Sequence, residues 1–414
     1  MSTAAQSPLI DLAFVSSAYE TPEVVRAAVR RGAEQVSYPA GQVGEDYLEA
    51  AARWQRERHG WDVPADSALF VPRTTQALAA LLNAGPVFHE PGGSSDATEG
   101  APDPALALQM GAPMEVVGQL AAAEAAEREA AEPGPVRPPV VVALSPAYGR
   151  IAALVRASGA QLRLVRMENF GGRLRINWPA LENAMIGADY LLWTNPHNPS
   201  GRVWSEEELK RVGYLAEIYR AVVVSDDIHA DFTRPDVPYT PMAKACPYLF
   251  ETGRLLLTSS PTITFSMAGL GAAVAFATGE LRESLRAARD RMGLGAADAL
   301  AVPAAVAAWR EGGAFADELA TRVADNCAAA VETLQAELPD AVLARPDGTA
   351  LVWADLSAYA KDDDAVLAAA ERAGVQVSPG GRFGETWNGW VRLACAQPKE
   401  TVLEGISRLA GALR

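Results

Sequence analysis

Lysine is scarce in this chain: of its 36 basic residues only Lys210, Lys244, Lys361 and Lys399 are lysines, in a length of 414. The formal charge of −15, set by 51 acidic residues, leaves no surplus of positive charge from which to build a nucleic-acid or anionic-membrane surface. Cys246, Cys327 and Cys395 lie far apart and are odd in number, which excludes a disulfide framework and offers no Cys-x-x-Cys metal spacing, so no metal is expected. No apolar run approaches the ~18 residues that a membrane span needs. Met1 to Pro8 lacks the basic region and apolar core of a secretory leader. These absences point to a cytoplasmic setting and a small-molecule partner.

What is present is an ordinary globular composition, 49% hydrophobic and 21% charged, long enough for two subdomains. Apolar runs followed by turn residues recur at Val140 to Leu144, Tyr190 to Trp193, Ala221 to Ser225 and Leu255 to Thr258. Such runs predict an α/β fold with a mostly parallel sheet covered on both faces. Ser205 to Arg220 reads as a helix, with Ser205 and Glu208 spaced as a capping box and Leu209, Val212, Leu215 and Ile218 on one face. Ligands of open parallel sheets collect beyond the carboxyl ends of strands, where Asn195, Asn198 and Asp226 stand. From about Leu281 the pattern changes to alanine-rich helices and then short strands at Ala350 to Leu356, Val375 to Ser378 and Trp390 to Ala394, a smaller α+β domain.

Four stretches carry the chemistry: Asn195-Pro196-His197-Asn198-Pro199-Ser200-Gly201, Val222-Val223-Val224-Ser225-Asp226-Asp227-Ile228-His229, Thr258 to Leu270, and Trp390-Val391-Arg392-Leu393. Their order and spacing resemble the fold-type I pyridoxal phosphate (PLP) enzymes of the aminotransferase class I/II superfamily. His229 and Val203-Trp204 are most similar to its cystathionine beta-lyase-like branch, which cleaves carbon–sulfur bonds of cysteine conjugates. The resemblance covers about residues 10 to 412. It implies an N-terminal arm joining the small domain (1–45), a large cofactor-type domain (46–290), a small C-terminal domain (291–414), and an active site in the cleft at a homodimer interface. It also marks residues 85–137 as an insertion, with a Gly-, Pro-, Ser- and Asp-rich loop from His89 to Pro104 and a helix over Met114 to Glu132. A segment of that length suits a lid or a dimer contact.

The resemblance assigns roles residue by residue. Asp226 would pair with the pyridine nitrogen, although an aspartate at a strand end also caps turns. Asn198 would bond the ring hydroxyl, and Tyr148 would stack on the ring, where a tyrosine after a strand also serves packing. Ser260 and Thr262 would donate to the phosphate, and Arg73, at the start of a helix over Thr74 to Asn83, would bind it or fill its place. Tyr38 would reach a phosphate across the dimer, although Ser37 stands where the family has glycine. Arg392 would hold the substrate carboxylate, with a buried structural ion pair as the other reading. His229 fits an acid or base role or a structural one.

The family's lysine, which holds PLP as a Schiff base and moves protons at the substrate's alpha carbon, aligns with Ile263. None of the four lysines falls at a strand end in the cleft. Val15-Ser16-Ser17-Ala18 also departs from the branch's Asp-Met-Asp-Phe at the substrate entrance. Three readings follow. The fold is reused for a PLP-independent reaction on a carboxylate-bearing or amino-acid-derived substrate, which the altered phosphate cup and entrance favour. Alternatively, PLP or its amine form (PMP) is bound non-covalently for a lyase or aminotransferase-like reaction, with His229 or Tyr148 moving the proton. In the third reading the chain is an inactive partner protein.

Overall fold

The computed structural model describes residues 8–14, 18–34, 43–64, 66–85 and 137–414. The expectations for Tyr38, for Val15 to Ser17, and for the loop and helix of the insertion lie outside these residues. A seven-stranded sheet runs in the order Ala68–Val71, Ala273–Phe276, Leu255–Ser259, Val222–Asp226, Tyr190–Thr194, Val140–Ser145, Gln161–Arg166. All neighbouring pairs are parallel except the two made by Ala273–Phe276. Successive residues feed opposite apolar layers: Leu191, Trp193, Val223, Leu255 and Leu257 pack on one face, and Tyr190, Leu192, Val222, Val224 and Leu256 on the other. That alternation is the two-residue period of a strand, and a sheet covered on both faces needs both sets apolar.

The four strands expected from the sequence end within one residue of the observed ones. The helix after the Asn-Pro-x-Asn-Pro stretch spans Glu206–Ile218, and its capping box is complete: Glu208 N donates to Ser205 Oγ (3.2 Å) and Ser205 N to Glu208 Oε2 (2.9 Å). Glu208 also receives two bonds from Arg202 Nη2, each 2.9 Å, so the helix start is tied to the loop before it. Within that loop Gly201 has φ +68, and a Cβ there would lie 2.4 Å from Pro346. Only glycine allows that approach, and the Gly201 carbonyl accepts from Asp347 N and Gly348 N at 2.9 Å each.

The smaller sheet is antiparallel, in the order Val342–Leu343, Leu351–Asp355, Trp390–Ala394, Ser378–Pro379. Its core joins Val352, Ala354, Val391 and Leu393 to the helices Gly313–Glu337 and Lys399–Leu413 and to Ile10 and Leu12. The helix Ala301–Glu311 instead packs Ala301, Ala304, Ala305 and Ala308 into the large-domain core. The single strand expected over Val375 to Ser378 is a correction: Val375–Gln376 pairs in parallel with Ile10–Asp11, whereas Ser378–Pro379 pairs with the strand carrying Arg392. The partners are far away in sequence, so a local pattern cannot show the switch. Lys244 stands in the short helix Met242–Ala245. Among the described residues no helix is long and apolar enough to cross a membrane.

The two domains are joined beside the ends of the large sheet's strands. Ala147 N donates to Phe383 O (2.8 Å). A Cβ on Gly149 would sit 2.3 Å from the Arg382 carbonyl, so the glycine permits close backbone contact there.

Candidate functional site

A cavity of about 360 Å3 opens between the domains, at the carboxyl ends of the parallel strands. Asp226 ends its strand after four buried residues, Val222 to Ser225. It faces the cavity, while Asp227 points to the other side of the sheet and accepts from Ser225 Oγ and Tyr239 Oη. Thr74 Oγ1 and Thr258 Oγ1 donate to Asp226 Oδ2 and Oδ1, each at 3.4 Å. Burial pushes the Asp226 carboxyl up to about 6, against the lowering effect of the Ile228 backbone and the two threonines. Burial likewise raises Asp227 to about 7. Among the described residues Asp226 has no cationic partner, so it presents an acceptor to the cavity.

Arg392 reaches the same cavity from the small sheet and is 5% exposed. Its partners are neutral oxygens: Nη1 donates to Asn198 Oδ1 (3.2 Å), and Nη2 to Ala13 O (2.7 Å) and Ser378 Oγ (3.3 Å). The guanidinium stacks over Phe383 at 4.9 Å, and its Nε has no partner. Burial lowers it to about 10, with Tyr148 opposing that shift and Arg382 adding to it. No carboxylate pairs with it among the described residues, so the structural ion pair considered from the sequence is not observed. A buried cation without an anion is an unfinished interaction.

His229 lines the cavity and is 3% exposed, with Nδ1 unpartnered. Burial first, and the charge of Arg392 second, lower it to about 4, so the ring is neutral near pH 7. Tyr148, half-buried at the N-cap of the helix Gly149–Ala157, lines the opposite stretch of wall with Asn198. His197, the other histidine of the region, is buried, bonds Ser200 Oγ at 2.8 Å and is lowered to about 3 by burial and Arg202.

The helix Thr74–Ala84 points its N-terminus at the cavity, with Arg73 as N-cap and Thr75 on the wall. Arg73 is exposed, and the bond it makes is a long one to Ala268 O, 3.4 Å. Backbone N–H groups at a helix start suit an anion. Ser260 and Thr262 also line the wall, but Ser260 Oγ lies 2.6 Å from Ala272 O, to which it donates, and 2.8 Å from Thr262 Oγ1. The Ser260 hydrogen is therefore committed to Ala272 O and the Thr262 hydrogen to Ser260 Oγ, so both hydroxyls are engaged within the turn. Ile263 is half-buried between the cavity and the apolar cluster of the small domain. All four lysines are exposed and none lines the cavity.

The structure thus brings together Arg73, Tyr148, Asn198, Asp226, His229, Ser260, Thr262, Ile263 and Arg392 in one cavity. Sequence reasoning missed Thr74 and Thr258, which hold the Asp226 carboxylate, and Arg150, a further wall residue. Arg150 stands two places after Tyr148 at a helix start, a signal that could have marked it. The two threonines are 152 and 32 residues from Asp226, and no local pattern links them.

Over 399 residues the chain is 27% identical to the cystathionine beta-lyase PatB of Bacillus subtilis (strain 168), covering 95% of this chain and 90% of that protein. It is 27% identical over 269 residues to a cystathionine beta-lyase of Corynebacterium glutamicum, with 65% and 70% covered. Among solved structures it resembles the PLP-bound C-S lyase from Staphylococcus hominis, with a TM-score of 0.79 at 23% identity over 98% of this chain and 91% of that one. Aspartate aminotransferase from Thermus thermophilus with maleate gives 0.74 at 21%, over 98% and 92%. These likenesses show the fold-type I aminotransferase architecture. The sequence matches "Aminotransferase class I and II" over residues 116–409, a span that takes in the cavity's strand ends and the strand of Arg392, and the chain belongs to that family.

Proposed function

We propose that the chain is an enzyme that holds a carboxylate-bearing, amino-acid-derived substrate on Arg392 and transforms it without a covalently attached cofactor. The observation that carries this reading is the Arg392 guanidinium, buried, facing the cavity and bonded to neutral oxygens alone. A carboxylate accepting from the remaining Nη1 hydrogen would give the guanidinium an anion and offset the desolvation of its charge. It would also shield His229 from the charge that helps to hold its pKa low, lifting the imidazole toward the range where it can accept a proton near neutral pH. Tyr148 would close the wall over the bound group. The inactive-partner reading is disfavoured by the same residues, since an unpaired cation and an unpartnered imidazole are costly to keep in an empty cleft.

A second reading rests on Asp226, an acceptor in the cavity with no cation beside it. The residues fit PLP or PMP at its ring and phosphate ends: Asp226 for the ring nitrogen, Asn198 for the ring hydroxyl, and Arg73, Thr75 and the helix start at Thr74 for the phosphate. They do not fit its covalent attachment, because Ile263 occupies the position that the family resemblance assigns to lysine. When bound, the group would supply an electron sink for negative charge developing on the substrate's alpha carbon. Arg392 would then orient the substrate, and Ile263 would keep that part of the wall dry.

The test is a set of calorimetric titrations of the purified protein with alanine, pyruvate, PLP and PMP, beside Arg392→Met and Ile263→Lys. Saturable binding of the carboxylates by wild type, lost in Arg392→Met, is expected, as is a covalent visible-absorbing PLP complex in Ile263→Lys alone. Carboxylate binding that depends on prior addition of PLP or PMP would favour the second reading. Robust release of pyruvate from cysteine conjugates by wild type, dependent on added PLP, would overturn the first reading and support the second.

A further inference from the structure

We infer that Arg150, with Arg382 beside it, forms a second anion subsite, so that the substrate is a diacid whose distal carboxylate sits at the mouth of the cavity. The inference rests on the reading of Arg392 as the holder of the first carboxylate. In a chain of formal charge −15 the cavity wall carries, among the described residues, three arginines, Arg73, Arg150 and Arg392, and a single carboxylate, Asp226. Arg392 is buried at the floor and Arg73 stands by the helix start at Thr74. Arg150 is exposed at the rim and makes no hydrogen bond or ion pair among the described residues.

Its position is electrostatically unfavourable without a ligand. Arg150 is in the first turn of the helix Gly149–Ala157, which has no acidic residue there, and the positive end of the helix dipole opposes a cation. Arg382 adds to the imbalance. Its backbone carbonyl touches Gly149, its side chain is exposed without an ion pair among the described residues, and its charge helps to lower Arg392. Arg150 and Arg392 thus line one cavity from two domains, with Arg382 near enough to lower Arg392, and no carboxylate pairs with any of the three among the described residues. A diacid spanning the cavity satisfies Arg392 at one end and Arg150 at the other, while a monoacid leaves the rim charge unpaired. The rim charges also draw anions toward the mouth against the acidic surface elsewhere.

Glutarate and its half-amide, glutaramate, separate the possibilities because they differ in the distal charge alone. Calorimetric titration of the full chain should show glutarate bound about tenfold or more tightly than glutaramate, the scale of one charge-assisted contact. The preference should narrow as salt is raised. Arg150→Gln, at an exposed site with an unchanged melting temperature, should shrink the preference, and Arg150→Gln with Arg382→Gln should abolish it while glutaramate binding stays as in wild type. Equal binding of the two ligands by wild type, or a preference that survives in the double variant, overturns the second subsite and leaves Arg392 as the first. Failure of wild type to bind either ligand overturns the reading of Arg392, and the diacid falls with it.

Discussion

Arg392 Nη1 donates to Asn198 Oδ1 across 3.2 Å, joining the small sheet to the loop after the strand Tyr190–Thr194 of the large one. One side chain thus serves both as a bridge between domains and as the cavity's buried cation. The bridge does not neutralise the charge, and this separates its structural contribution from its binding role.

Arg392→Met should accordingly lose carboxylate binding with little loss of stability. Removing the guanidinium breaks bonds to Asn198, Ala13 and Ser378, each worth about 1 kcal/mol, but also removes an uncompensated buried charge of comparable cost. Urea unfolding is expected to change by no more than about 1 kcal/mol. A loss of several kcal/mol would mean that the residue is chiefly structural.

Asp226 and Asp227 should make stability fall as pH rises. Both are raised by burial, to about 6 and about 7, above the ordinary carboxylate value. Below pH 4 they are neutral in folded and unfolded chains alike. Above it the unfolded chain ionises first, so the folded state loses relative stability until the folded pKa values are passed. Asp226→Asn should therefore flatten the dependence of the unfolding free energy between about pH 4 and 6, by an amount on the order of 1–3 kcal/mol. An unchanged slope in the variant would show that Asp226 titrates normally.

The His229 ring should stay neutral down to about pH 4 in the free protein. In histidine-labelled protein, the ring resonance that disappears in His229→Gln should not move between pH 8 and 5. Saturation with glutarate should raise its midpoint, because Arg392 is then screened. A midpoint at the ordinary histidine value in the free protein would remove the case for an imidazole shaped by burial and Arg392.

Asp231 holds the turn that carries Ile263 from behind. Its carboxylate accepts from Thr264 Oγ1 (2.9 Å) and Trp54 Nε1 (3.2 Å) and faces His59 Nε2 at 3.4 Å and Arg58 Nε at 3.5 Å. Burial raises its pKa, but His59, Arg58 and Thr264 outweigh burial and leave it lowered. Asp231→Ala should cost about 3 kcal/mol by leaving buried donors and cations unpaired, with the melting temperature as the measure. A shift of under a degree would mean that the turn is held by its apolar packing.

The parts of this site that were legible in the sequence are those written locally. Val222 to Ser225 followed by Asp226 spells a buried strand with a polar end, and Ser205 with Glu208 spells a helix start, so both were placed to within a residue. What binds Asp226 was not legible, because Thr74 reaches it from a helix 152 residues earlier. The same holds for Val375 to Ser378, where pairing with Ile10 and with Arg392 divides one apolar run between two sheets. Arg392 was readable as an arginine in an apolar strand. That no carboxylate pairs with it among the described residues required the neighbours from three other parts of the chain.

The backbone contacts of Ala147 with Phe383 and of Gly149 with Arg382 fix one more property. Arg150 and Arg392 belong to different domains, and these contacts hold the backbones that carry them together through main-chain atoms. The two domains therefore cannot part at this edge of the cavity without breaking that main-chain bond, and the opening keeps its width whether or not a ligand is present.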